Sequence, residues 1–406
     1  MLGGKDIDIL CSPISYTDRE WLGTAPCMSA AESVREAGIL WLNEDDSRTF
    51  LDLRTAEHVQ EGGLVDLEQT RQVMLRNTAQ EALRGFGSWW MDLPAQGWFN
   101  DARIWQEMVR LRPVDDAMLR RRRPFTPDVA MITHEDSMCH LTGDSAVAAQ
   151  PLTYSVRADF GRMGAPYGQY LFADVLAGKV PAKLQIFLSA WALSSDQRGA
   201  LATRRSAGTT RVWCWAPGFI YPDRQDVTGI ADVTGFKAHP VNLSSAEVTA
   251  TEEGRRRGLL APFGPKAAIR PLFAVEARPE ETWATYADGS VAVAARPHRR
   301  GEGASGTESS ANLDTGWDVF VGTPRLTPEL LRAVAKLARV HVFTEANVPV
   351  WAAEGHVAIQ AHAPGPVSVD VGQAVPVFDA LDNQPLGRGP RVQVPFKQGE
   401  TRLLRY

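Results

Sequence analysis

With 406 residues, 44% hydrophobic and 22% charged, the chain is long enough for two or three domains and has the balance of a globular protein. A net charge of −5 speaks against a nucleic-acid partner, which needs a basic face, and no apolar run reaches the roughly 18 residues of a membrane span. Four cysteines, Cys11, Cys27, Cys139 and Cys214, stand far apart with no C-x-x-C pair, as free thiols in a reducing compartment do and a zinc site does not.

The start, Met1-Leu-Gly-Gly-Lys-Asp6, lacks the apolar core of a signal peptide, so a cytoplasmic location is expected. Ile7 to Ser12 reads as a strand ending at Pro13. Ser29-Ala-Ala-Glu32 has the spacing of a capping box and opens a helix that Gly38 stops. Ile39 to Asn43 is the next strand, and Glu44-Asp-Asp-Ser-Arg-Thr49 leaves it. Leu67, Val73, Met74, Ala79, Ala82, Leu83 and Phe86 repeat at helical spacing, with Gly85 marking the helix end. Phe86 to Asp92 reads as a third strand and Ala102 to Arg112 as a third helix. Such alternation implies parallel strands with crossover helices. Three units are too few to close an eight-stranded β/α barrel.

The basic run Arg120 to Arg123, next to Pro124 and Pro127, reads as a solvated junction. A second α/β region follows. It has strands over 128–133, 184–188, 211–215 and 318–321, an amphipathic helix over 164–176 and a hairpin over 281–295 around Asp288-Gly289. His298 to Ser310 is a Gly/Ser-rich charged loop; Thr327, Pro328 and Glu329 open a helix to Leu337, and Val340 to Phe343 is the strand after it. The region reads as a flavodoxin-like sheet. From Pro349 onward, short alternating runs split by Pro and Gly predict a small antiparallel β domain. His134, Glu135 and His140 lack His-Glu-x-x-His spacing, and no metal or organic cofactor is implied.

The chemistry-bearing segment is Asn43-Glu-Asp-Asp-Ser-Arg-Thr49. Three acids close the C-terminal end of a parallel strand, the end at which barrel active sites sit. Alternation places Glu44 and Asp46 on one side and Asp45 on the other, with Arg48 near enough to pair with Asp45 or Asp46. On these residues alone a solvated acidic loop is the simpler reading. Trp89 and Trp90 point to opposite faces of a strand, so at most one lines a pocket.

Three segments carry a family resemblance: Asp8-x-x-x-Ser12-Pro-x-x-Tyr16-x-x-Arg19, Asn43 to Thr49, and Phe86-Gly-Ser-Trp-Trp-Met-Asp92. Their order resembles strands six to eight of clan A glycoside hydrolases, most of all the family 42 β-galactosidases. The implied fold is α/β. It comprises the last three units of a (β/α)8 barrel over 1–123, an amidotransferase-like α/β trimerisation domain over 124–347, and a small antiparallel β domain over 348–406. The resemblance implies Glu44 as the nucleophile of a retaining glycosidase and Tyr16 as its hydrogen-bond partner. Trp89 or Trp90 would floor the sugar site, with Trp98 as a second stacking wall and Asp46 as a further substrate contact. Arg19, Arg48 and Asp92 would be structural groups beside the site, Arg19 holding Asp45 or Asp46. The implied partners are a β-linked glycoside and further copies of the chain in a trimer.

One departure is large. Retaining glycosidases need two carboxylates about 5–5.5 Å apart. In this clan the acid/base is a Glu after Asn at strand four, whereas the one Asn-Glu of the barrel part, Asn43-Glu44, falls at strand seven. Proton donation is worth about 10²–10⁴-fold. The chain alone is therefore expected to lack useful activity, and an upstream half-barrel would have to come from the same or another polypeptide. Leu188-Ser-Ala-Trp191 has no Cys where an amidotransferase carries its nucleophile, so glutaminase chemistry is not expected. The alternative reading is a non-catalytic carbohydrate-binding or oligomerisation module.

Overall fold

The computed structural model describes residues 2–4, 6–52, 63–93, 95–120, 123–143, 146–205, 208–298 and 316–406. The chain divides into two compact units. The first comprises Met1–Pro127, Phe160–Pro166 and His341–Tyr406, and the second Asp128–Asp159 and Tyr167–Val340.

In the first unit, β1 (Ile9–Pro13), β2 (Leu40–Asp45) and β3 (Gly87–Trp90) form a parallel sheet in that order. The crossovers carry α1 (Ala31–Glu36) and α2 (Leu67–Arg84), and α3 (Ala102–Leu119) follows β3. The left-handed Gly85, φ +75°, ends α2, and Asp66 caps its start by accepting a hydrogen bond from the Gln69 N–H at 2.7 Å. The expected capping box of α1 does not form. Ala30 is the N-cap and makes no side-chain cap bond. Glu32 is buried and takes a two-pronged bond from Arg84, Nε to Oε1 at 2.8 Å and Nη2 to Oε2 at 2.7 Å. A carboxylate with no access to water gains more from a guanidinium fork than from one backbone N–H. Helix α3 runs seven residues past the expected Arg112, through Pro113, because Val114 and Met118 anchor its last turns in the core beside Ala79, Ala82 and Leu83.

Helix α2 is buried without a break from Val73 to Arg84. The reason is a second covering layer. Strands 350–353, 356–360, 401–405, 376–379 and 385–388 make a five-stranded antiparallel sheet, as the C-terminal alternation implied. One side of this region encloses Val357, Ile359, Val369, Val377 and Val394. Trp351, Ala358 and Leu403 instead pack on Ala79, Ala82 and Leu83 of α2. Residues 341–343 do not form the expected strand. Phe343 makes single backbone bonds, its N–H to Gly164 O and its C=O from Asp370 N–H, both 2.7 Å. Gly164 has φ +89°, and a Cβ there would lie 2.1 Å from Thr344 O, so a close backbone crossing takes the place of a ladder.

In the second unit, β4 (Val129–Thr133), β5 (Tyr167–Leu171), β6 (Leu184–Phe187), β7 (Thr210–Cys214) and β8 (Trp317–Val321) are parallel, in the order β5-β4-β6-β7-β8. This is the 2-1-3-4-5 order of doubly wound flavodoxin-like sheets. Strands 291–297, 282–285 and 249–250 extend it antiparallel to eight. The helix expected over 164–176 is β5 followed by a single turn, Phe172–Leu176. A short run of buried apolar residues has no periodicity that separates the two states. Helix α4 (Pro328–Leu337) opens as expected, with the Thr327 side chain accepting from Leu330 N–H at 3.3 Å. The charged loop at 299–310 and Arg121–Arg122 of the basic run lie outside the described residues. Among the described residues no helix is long and apolar enough to cross a membrane.

Candidate active site

The two faces of the β1–β3 sheet differ. Trp41, Asn43 and Asp45 of β2 are buried on the side of α2, and Leu40, Leu42 and Glu44 alternate onto the other face. On that open face register sets Pro13 and Trp89 on either side of Glu44. Ile9 is 52% exposed, Leu40 46% and Trp89 40%. Trp89 donates its indole N–H to Cys11 Sγ at 3.3 Å. The Glu44 carboxylate has no hydrogen-bond partner among the described residues. Partial burial and then the Asp46 charge raise its pKa above the ordinary carboxylate value.

Asp46 is fully buried and bound by two groups from the loop after β1. Arg19 pairs with its Oδ1, and the Tyr16 hydroxyl donates to Oδ2 at 3.2 Å. The Arg19 guanidinium also stacks 4.3 Å from the Tyr16 ring centroid. Tyr16 thus bonds Asp46 and not Glu44, because the carboxylate already held by Arg19 is the one in reach of its hydroxyl. The Tyr16 pKa is raised by burial and then by Asp46. Asp46 has no solvent exposure, and both its carboxylate oxygens are occupied. Arg48 pairs with Asp52 at 3.4 Å, not with Asp45 or Asp46.

The tryptophans separate. Trp90 lies on the helix side, edge-on to Phe99 with ring centroids 6.2 Å apart. Trp98, expected as a stacking wall, is only 2% exposed and packs with Met74, Leu75, Ile104 and Leu111 in the core. Asp92 explains its position. Its carboxylate accepts the N–H groups of Gln96, Gly97 and Trp98 at 3.1, 2.6 and 3.0 Å, folding the loop after β3 back onto α2. Thr49 also bonds the Trp98 carbonyl.

Beneath β2 lies a polar network from α2. Asn77 donates to Asp45 Oδ2 at 2.9 Å and to Ser47 Oγ at 3.0 Å. Arg76, wholly buried, donates to the carbonyls of Arg19, Glu20 and Gly23 at 2.6, 2.6 and 3.0 Å. It thereby fixes the loop whose Arg19 holds Asp46. Burial lowers the Arg76 pKa to about 10. Asn43 takes a 2.5 Å bond from Trp41 Nε1 and gives one to Glu81 Oε1 at 3.2 Å. Burial, then the Asp45 charge, raises the Glu81 carboxyl well above its ordinary range. Asp18 anchors the same loop, accepting from Arg162 at 2.7 and 2.8 Å. None of Arg76, Asn77, Glu81 or Arg162 was singled out in the sequence. The available signal was the polar run Arg76-Asn-Thr-Ala-Gln-Glu81 inside a helix that must be buried.

No protein-family model matches the chain, and no curated protein sequence matches it. Solved structures do. The chain is similar to the cold-adapted β-galactosidase from Rahnella sp. R3 over 98% of its length, with a TM-score of 0.64 and 14% identity. The chain has the fold of the β-galactosidases. A family 42 β-galactosidase from G. stearothermophilus matches over 98% of the chain with a TM-score of 0.60 and 13% identity. The β-galactosidase from Bacillus circulans sp. alkalophilus matches over 94% with a TM-score of 0.54 and 10% identity. The chain spans 60%, 59% and 62% of the lengths of these three structures. The family 42 resemblance of the three short segments is thus matched at the level of the fold.

Proposed function

We propose that the chain is the nucleophile-bearing part of a retaining, β-galactosidase-like glycoside hydrolase, with Glu44 as nucleophile. On this reading 1–123 is the last part of a (β/α)8 barrel, 124–347 a trimerisation domain and 348–406 a small β domain. The observation that supports it best is the position of Glu44. It stands at the C-terminal end of a central parallel strand, on the uncovered face, beside an exposed indole and with its carboxylate unbound. Its neighbour Asp46 is neutralised by Arg19, which leaves Glu44 as the available anion of the segment. In the reaction Glu44 attacks the anomeric carbon as the glycosidic C–O bond breaks, and the leaving oxygen needs a proton. The second carboxylate that delivers it would come from strands outside 1–123.

An aryl galactoside whose leaving group needs no proton tests this reading. A dinitrophenyl β-galactoside is expected to release one equivalent of phenolate in a burst that Glu44→Gln abolishes. An alkyl galactoside should remain uncleaved by the same chain. A burst that survives Glu44→Gln, or no burst at all, would overturn the assignment. The burial of Asp46 and Trp98 favours a second reading, a non-catalytic carbohydrate-binding or oligomerisation module, because two expected sugar contacts are closed. Unchanged galactose affinity in Trp89→Ala would then be the decisive loss for both sugar-based readings, leaving assembly, read by native mass spectrometry as a trimer.

A further inference from the structure

The second unit holds a cavity of about 730 Å³ near the start of β7 and β8, well away in sequence from Glu44. Its lining carries five arginines (198, 205, 211, 278 and 296) and His298, against the carboxylates of Asp232, Glu276, Glu281 and Asp318. The outer charges are balanced locally. Arg278 and Arg296 share Glu281 at 2.8 and 3.5 Å, Glu276 pairs with Lys237 at 2.7 Å, and Asp232 accepts the Tyr221 hydroxyl at 2.6 Å. Arg198 gives Nη2 to the Gly218 carbonyl at 2.6 Å.

The inner wall is not balanced. Asp318 is consumed by Arg205 at 2.7 and 2.9 Å and by His298 Nδ1 at 2.9 Å. Arg211, buried at 4% exposure, has no carboxylate within ion-pair distance among the described residues. Its Nη1 and Nη2 donate to the carbonyls of Leu201 and Arg204 at 2.8 and 3.0 Å. The Nε–H groups of both Arg205 and Arg211 are buried with no hydrogen-bond partner among the described residues. Burial and then the adjacent Arg205 charge lower the Arg211 pKa to about 10. Two buried guanidiniums, Arg205 and Arg211, thus face the single carboxylate of Asp318, an uneven balance that is costly in a buried site, and unused N–H donors beside a cavity are groups that a tetrahedral oxyanion can take. The space exceeds that of a bare oxyanion, and Leu201, Val233 and Pro297 supply apolar wall for an organic body.

We propose that this cavity binds a small organic phosphate or sulfate, its oxyanion seated against Arg211 and Arg205. The site is independent of the glycosidase reading. The test is calorimetric titration of the full chain with glycerol 3-phosphate, inorganic phosphate and inorganic sulfate, with glycerol and sodium chloride at matched ionic strength as controls. Saturable one-site binding of the oxyanions and none of the controls is expected, with about tenfold or greater weakening in Arg211→Gln. Phosphate and sulfate arms that differ more than tenfold identify which ester the site takes. No saturable binding, or binding unchanged in Arg211→Gln, overturns the proposal. If that variant fails to fold, Arg278→Gln on the exposed rim serves instead: weakening of about threefold supports the site and unchanged affinity overturns it.

Discussion

The two faces of the β1–β3 sheet have the same strands and opposite chemistry. On the helix side the polar side chains of β2 are met by α2, Asn43 by Glu81 and Asp45 by Asn77, while the Trp41 indole N–H bonds Asn43 within the strand. On the open side the Glu44 carboxylate is unmatched among the described residues, and Ile9, Leu40 and Trp89 are exposed. The lesson is that the covered face stores stability while the open face can carry function without supporting the fold. Substitutions should therefore sort by face, and each prediction below is a way to break that division.

The largest effect is expected at Arg84→Met. It removes the guanidinium fork from the buried Glu32, and breaking such a pair costs about 3–5 kcal/mol, read as a drop in the urea midpoint at unchanged slope. A loss under about 1 kcal/mol would show that the pair is not buried in solution. Next comes Asn77→Ala, which removes the donor to Asp45 and should cost about 1–3 kcal/mol by the same measurement. A neutral result would mean that Asp45 faces water.

The covered face also predicts an unusual pH response. The Glu81 carboxyl has a raised pKa, through burial first and the Asp45 charge second. For an acid raised on folding, the native state holds its proton more tightly. Its stabilisation is full below the unfolded-state pKa and is lost as pH rises through the folded one. Glu81→Gln should therefore flatten the fall in stability as pH rises above the ordinary carboxylate range, and stabilise the protein at the alkaline end. A steeper fall in the variant would contradict the burial of that carboxyl. The smallest stability effects belong to the open face. Glu44→Gln and Trp89→Ala should each shift stability by no more than about 0.5–1 kcal/mol in thermal or urea unfolding. A loss as large as that of Arg84→Met would mean that this face is covered.

The β/α alternation of the first 119 residues is legible in the sequence because it rests on local signals, such as the left-handed stop at Gly85 and the strand end at Pro13, whereas the second strand runs two residues past the expected Asn43, to Asp45. The Thr327 cap and the hairpin around Gly289 are legible too. Legibility fails where burial is decided by distant segments. The polar residues of α2 are core only because a C-terminal sheet some 270 residues later covers them, which no periodicity within 67–84 reveals. The sequence of β5 reads as helix because a run of five residues, four of them buried, is too short to show a period. At the site, alternation separated Glu44 from Asp45 and Trp89 from Trp90. It could not foresee that Arg19 and Tyr16 would converge on Asp46, since that depends on a loop tied down by Arg76.

The most direct test of the account is covalent capture of the Glu44 carboxylate. The chain is incubated with a 2-deoxy-2-fluoro β-galactoside bearing a dinitrophenyl leaving group, then digested and mapped by mass spectrometry. The account predicts a single fluorogalactosyl adduct on the peptide containing Glu44 and none in Glu44→Gln. No adduct on that peptide, or an adduct that persists in Glu44→Gln, would contradict it.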